Sequence, residues 1–234
     1  MSDQPQAADF PLPSAFPRGL FEAVKDRFIA KIRATPEQQN IAGGQLGVLY
    51  RLRSTVEYSE ELIECVRRAG DSPSTEARYQ QERQLFGFFV SGIAALDCFS
   101  FFIYFAAAYL QPERFPTRKP GDIKAITLKR TSDNFGNAFP GEPITTALAN
   151  LVNDQWFKDW DELRNILAHR AVLGRIVYAS FGTSSPPNMP SEWKIDANRT
   201  LKIDEDVTTT RLNWLVITLA GLISAADEFA TKYF

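Results

Sequence analysis

Residues 85–110, LFGFFVSGIAALDCFSFFIYFAAAYL, run for twenty-six positions with Asp97 as their one charge. A helix this long and apolar has two destinations. About twenty apolar residues suffice to cross a bilayer, and a helix that is apolar all round also suits the centre of a soluble bundle. Three features favour the bundle. Asp97 falls mid-run, and a charge at the bilayer midplane costs roughly 2.5–3.5 kcal/mol even on permissive scales. Ser91, Cys98 and Ser100 add polar atoms to the same segment, and the polar run Ser74 to Gln84 continues the helix upstream. The stretch is expected to be the buried central helix of a bundle, with a membrane span as the alternative.

Upstream, Leu20, Phe21, Val24, Phe28, Ile29 and Ile32 recur at helical spacing and predict an amphipathic helix from Arg18 to Ala34, ended by Thr35-Pro36. Leu46, Leu49, Leu52, Val56, Leu62, Ile63 and Val66 predict a long second helix to Ala69, closed by the turn Gly70-Asp71-Ser72-Pro73. Gly43, Gly44 and Gly47 weaken helix locally and leave its start open. Residues 1–17, with four prolines, read as a flexible or extended arm. Downstream, Pro112, Pro116 and Pro120 mark a connector. Short helices follow at Asp122 to Ser132 and Ile144 to Val152, then a stronger one from Asp154 to Arg170. Arg175 to Ser180 and Trp193 to Ile203 alternate like strands around the turn-rich Gly182 to Pro190, predicting a β-hairpin. An amphipathic helix from Glu205 to Tyr233 ends the chain. The expectation is a single all-α domain over residues 18–234, an antiparallel bundle of five or six helices with a small β-hairpin inserted near 175–203.

The 234 residues carry 26 Lys+Arg against 28 Asp+Glu, one histidine, His169, and two cysteines, Cys65 and Cys98. A formal charge of −2 argues against a constitutively basic nucleic-acid surface. One histidine and two isolated cysteines cannot build a Cys/His zinc site, and no phosphate-cradling or dinucleotide motif occurs, so neither a metal nor a cofactor is expected. The start, MSDQPQAADF, has no basic and apolar signal-peptide regions, and two cysteines give no disulfide framework. A cytoplasmic protein without a membrane anchor is the expectation. One segment departs from the acidic balance: Gln111 to Arg130 holds six Lys/Arg and two acids. Within it, Arg118, Lys119, Lys124, Lys129 and Arg130 form either a solvated helix face or a phosphate-binding, RNA-contacting patch.

Chemistry has one place to reside, Trp160-Asp161-Glu162-Leu163-Arg164-Asn165-Ile166-Leu167-Ala168-His169-Arg170. Helical spacing gathers Trp156, Trp160, Leu163 and Leu167 into a core stripe and puts Glu162, Asn165 and His169 on the opposite side. Asn165 and His169 stand four residues apart, so the amide can orient the imidazole or share a ligand with it. Arg164 projects from the flank, and Arg170 and Glu162 complete the polar surroundings. A neutral imidazole accepts a proton near pH 7, and a guanidinium stabilises a phosphate or its pentacoordinate transition state. Those are the requirements for cleaving RNA by attack of its own 2′-hydroxyl, which needs no metal. A second proton must reach the leaving oxygen, and with one histidine per chain a two-fold dimer would supply it. The plainer reading of His169 is an ordinary polar contact.

Arg164-Asn165-Ile166-Leu167-Ala168-His169 resembles the Arg, polar residue, three spacers, His signature of the HEPN superfamily. The resemblance covers Gln45 to Arg170 plus the final helix. It implies a helical bundle that forms a homodimer through the motif face and, in active members, a metal-independent endoribonuclease of toxin–antitoxin, phage-defence and stress systems. It implies RNA as substrate and an antitoxin or other protein as partner. It also makes Arg164 and His169 the active-site pair, with Asn165 as the intervening polar residue. Asp97 then matches the acidic residue on the preceding long helix that supports the arginine, or is a buried polar residue tied to a neighbouring helix. The superfamily also contains inert dimerisation and nucleotide-binding modules, which is the alternative reading.

Overall fold

The computed structural model describes residues 11–32, 36–70, 73–169, 173–176, 191–204 and 206–234. Among them the order is α1 (Arg18–Lys31), α2 (Pro36–Ala69), α3 (Thr75–Leu110), α4 (Pro120–Lys124), α5 (Leu128–Ala138), α6 (Pro143–Asn153), α7 (Gln155–His169), β1 (Gly174–Ile176), β2 (Glu192–Lys194), β3 (Thr200–Lys202) and α8 (Asp206–Tyr233). The protein is mostly helical with a small antiparallel sheet.

Ser74 starts α3, its hydroxyl accepting the Ala77 N–H at 3.1 Å. From Leu85 to Ala108 the helix is buried on most faces, walled by α2, α5, α7 and α8. Both α3 and α8 are long and apolar enough to cross a membrane, and 67% and 50% of their most apolar windows are buried within the fold. The apolar run reads as the centre of the bundle because its side chains have protein partners. Phe102, for example, meets Phe21 edge-on at 5.0 Å and Phe28 at 5.4 Å, both from α1.

The three glycines expected to blur the start of the second helix lie well inside it. Proline suits a first helical position, where its missing N–H has no intrahelical partner, and α2 begins at Pro36. Gly44 faces Phe102, Gly47 faces Cys98 and Gly87 faces Tyr58, so α2 and α3 run antiparallel. A Cβ at Gly44 would stand 2.9 Å from the Phe102 backbone, and one at Gly47 would stand 2.7 Å from the Cys98 sulfur. These glycines let two long helices touch, which outweighs their poor helix propensity.

Two further expectations change. The stretch Asp122 to Ser132 is not one helix, because Thr127 adopts extended backbone and its hydroxyl accepts the Arg130 N–H, capping a new helix. Segments α4 and α5 result, and the described residues hold eight helices in all, more than the five or six expected. Trp193 to Ile203 is not one strand but two. The Asp196 carboxylate accepts the N–H groups of Asn198 and Arg199 at 2.8 and 3.0 Å, bending the chain into a turn. The sheet is therefore an antiparallel β1-β2-β3 meander with Trp193 opposite both Arg175 and Leu201. The rest of the predicted hairpin, residues 177–190, lies outside the described residues. The sheet docks on α3 through Trp193, which is fully buried and donates its indole N–H to Glu82, and through Arg175, whose Nη1 donates to Gln81 at 2.7 Å.

Of the expected N-terminal arm, residues 1–10 lie outside the described residues. Phe16 is buried against Phe21, so the arm's end belongs to the core.

Candidate functional site

Trp160 fixes how α7 meets α3. A Cβ at Gly92 would overlap its ring, so the glycine lets the indole press against the α3 backbone. The indole N–H donates to the Phe89 carbonyl at 3.0 Å, and the ring stacks on Phe88 at 5.1 Å. Leu163 is buried one turn-face further along. The other members of the expected core stripe sit differently. Leu167 is half-buried, and Trp156 is 42% exposed, with the Arg211 guanidinium of α8 over its ring.

With Trp160 seated on α3, Asp161 and Arg164 come within electrostatic range of Asp97 on α3. Arg164 Nη2 lies 2.5 Å from Asp161 Oδ1, and Asn165 Nδ2 donates to Asp161 Oδ2 at 3.3 Å. One carboxylate thus holds both polar motif residues. Sequence reasoning passed over Asp161, although its position three residues before Arg164 and four before Asn165 is the spacing at which helical side chains meet. Arg164 Nε is buried and has no hydrogen-bond partner.

Asp97 is close enough to feel both charges. Burial pushes its carboxyl above the ordinary range, the Arg164 guanidinium pulls it down, and Asp161 pushes it up again. Asp97 keeps a solvent-exposed edge while protein crowds its other sides, so water screens part of this effect.

Glu162 points elsewhere. Its two oxygens accept Arg199 Nη1 and Nη2 at 2.9 and 2.7 Å, and Arg199 Nε reaches Asp196 at 2.5 Å. The β2–β3 turn is thereby pinned to α7. Phe157, Lys158, Asp161, Glu162 and Asn165 line an open hollow of about 270 Å³ beside this clamp.

His169 is the last residue of α7, one turn beyond Asn165. Its side chain, and all of Arg170, lie outside the described residues. The basic segment forms a separate surface. Arg118 and Lys119 line a second hollow of about 340 Å³ with Glu37, Glu113 and Asp122, and neither borders the hollow on α7. Lys124 and Lys129 are exposed at the facing ends of α4 and α5, with Arg130 half-buried beside them. Among the described residues no three His, Cys, Asp or Glu side chains form a group able to hold a metal.

Compared with family models, curated proteins and solved structures, the chain matches none. Its function is argued from the site itself.

Proposed function

We propose that this chain is a HEPN-type, metal-independent endoribonuclease that works as a homodimer in the cytoplasm, in a toxin–antitoxin, phage-defence or stress-response role. One observation carries the reading: Asp161 orders Arg164 and Asn165 together beside Asp97, and His169 follows one turn later on the same helix. A guanidinium and an imidazole on one helix suit phosphoryl transfer. Arg164 holds the scissile phosphate and stabilises the charge of its pentacoordinate state. His169 of one copy takes the 2′-hydroxyl proton as that oxygen attacks phosphorus. His169 of the second copy gives a proton to the departing 5′-oxygen, leaving a cyclic phosphate and a free hydroxyl. Asn165 orients the imidazole or the phosphate, and Asp97 supports Arg164. Arg118, Lys119, Lys124, Lys129 and Arg130 contact the RNA backbone away from the bond that breaks.

The shared face would include the open edge of α3. Tyr79, Phe86, Val90, Ala94 and Asp97 recur there at intervals of three, four or seven, and Tyr79 and Phe86 are 59% and 42% exposed. That row places an apolar surface in line with Asp97.

The test is cleavage of RNA in EDTA. His169→Ala abolishes it without loss of helicity, and Arg164→Ala lowers it by about 10²–10³, as removal of one charge-stabilising donor does elsewhere. Cleavage that survives His169→Ala sinks the assignment. A second reading has its own support: Arg164 is already neutralised by Asp161, which suits an inert dimerisation or nucleotide-binding module. That reading requires the folded dimer to leave every RNA intact.

A further inference from the structure

Arg164 brings a charge able to hold a phosphate, and in the folded chain that charge is already answered. Asp161 sits on Nη2 at 2.5 Å, and Asp97 adds a second negative charge within range. The neighbouring charges on α7 do not restore a positive balance. Lys158 is turned to the Asn153 carbonyl at 3.0 Å, while Glu162 is matched by Arg199. A carboxylate and a phosphodiester oxygen compete for the same N–H donors of a guanidinium. The helix fixes Asp161 three residues before Arg164, so this competitor is always within reach.

We propose that Asp161 is an internal counter-ion that sets the anion affinity of Arg164, occupying the guanidinium edge that a backbone phosphate of single-stranded RNA must take. The proposal rests on the reading of Arg164 as the phosphate-binding residue. The Arg164 and Asp161 side chains are 31% and 36% exposed, and ion pairs open to water to this extent are weak. A phosphate can therefore displace Asp161, at reduced affinity. Asn165 loses its acceptor in the same step, because it shares that carboxylate. Its amide becomes available to the incoming ligand.

The test is fluorescence anisotropy with a labelled, fully 2′-O-methylated single-stranded RNA, which has no 2′-hydroxyl to attack its own phosphate. Asp161→Asn, close in shape and uncharged, tightens binding by about fivefold at low salt, the upper range for an exposed ion pair. Asp161→Ser moves affinity in the same direction, and thermal melts check that both variants are folded. Adding Arg164→Ala to either removes the gain. Binding no tighter than native in both variants, or a gain that survives Arg164→Ala, overturns the proposal. Because the probe resists cleavage, this outcome is independent of the nuclease test. A gain in affinity alongside uncut natural RNA would keep the counter-ion and reject the enzyme.

Discussion

At the scale of single residues, Asp97 has the most direct pH signature. Its carboxyl is raised above the ordinary value of 3.8, chiefly by burial, so the folded chain holds this proton more tightly than the unfolded chain does. The stability it contributes is complete below pH 3.8 and is lost as pH rises through the folded value. Asp97→Asn is neutral throughout and removes that dependence. Its urea midpoint should lie at or above the native midpoint at pH 7, the two converging toward pH 3. The gain is small because Asp97 has a solvent-exposed edge and Arg164 opposes the effect of burial. A lower midpoint for Asp97→Asn at pH 7 would mean that attraction to Arg164 wins. The sequence pointed to Asp97 and Arg164 as neighbours through a resemblance, but it did not single out Asp161. Local spacing contained the Asp161 contact. What spacing alone does not say is which of the charged residues at 161, 162 and 164 turns to which partner, since Arg199 claims Glu162 from a turn 37 positions away.

Among elements, the helices were readable and their contacts were not. Apolar periodicity found α1, α2, α3, α6, α7 and α8 because each has a face or a whole surface to bury. The start of α2 stayed open at Gly43, Gly44 and Gly47 because propensity is a local quantity and close packing of α2 on α3 is not. Two neighbouring substitutions separate these causes. Gly43 is exposed with open space around its Cβ position, so Gly43→Ala should stabilise the chain by about 0.5–1 kcal/mol, the helix-propensity difference. Gly44→Ala has the same propensity gain but forces a methyl to 2.9 Å from Phe102 backbone atoms, which cannot swing away. It should destabilise by roughly 1–3 kcal/mol, the usual cost of overpacking. Opposite signs in denaturant titration identify α2–α3 contact as the reason for glycine; equal signs would refute it. The sheet was legible as a small antiparallel element, but its strand count was not. A short run alternates equally well as one strand or as two strands around a turn, and only the Asp196 turn bonds decide between them.

For the whole molecule, assembly turns on the open edge of α3. Tyr79 and Phe86 face solvent on one edge of α3, in line with Asp97, and one histidine per chain leaves the proposed reaction short of a second proton donor. A second copy seated on that edge answers both, provided each partner buries about 800 Å², the size typical of stable interfaces. The burial of α3 and α8 bears on the membrane alternative too: inserting them would strip the phenylalanine core from α1 and α5. In detergent-free buffer, light scattering should therefore report twice the 26.3 kDa chain mass. Phe86→Arg places a charge within the apolar row while leaving the core of α3 untouched, since Phe86 packs outward. It should yield a folded 26.3 kDa monomer that no longer cleaves RNA. A native chain that is already monomeric at working concentration would remove the second histidine from the mechanism. A Phe86→Arg variant that stays dimeric would move the interface off this edge of α3, leaving the exposed tyrosine and phenylalanine to another partner.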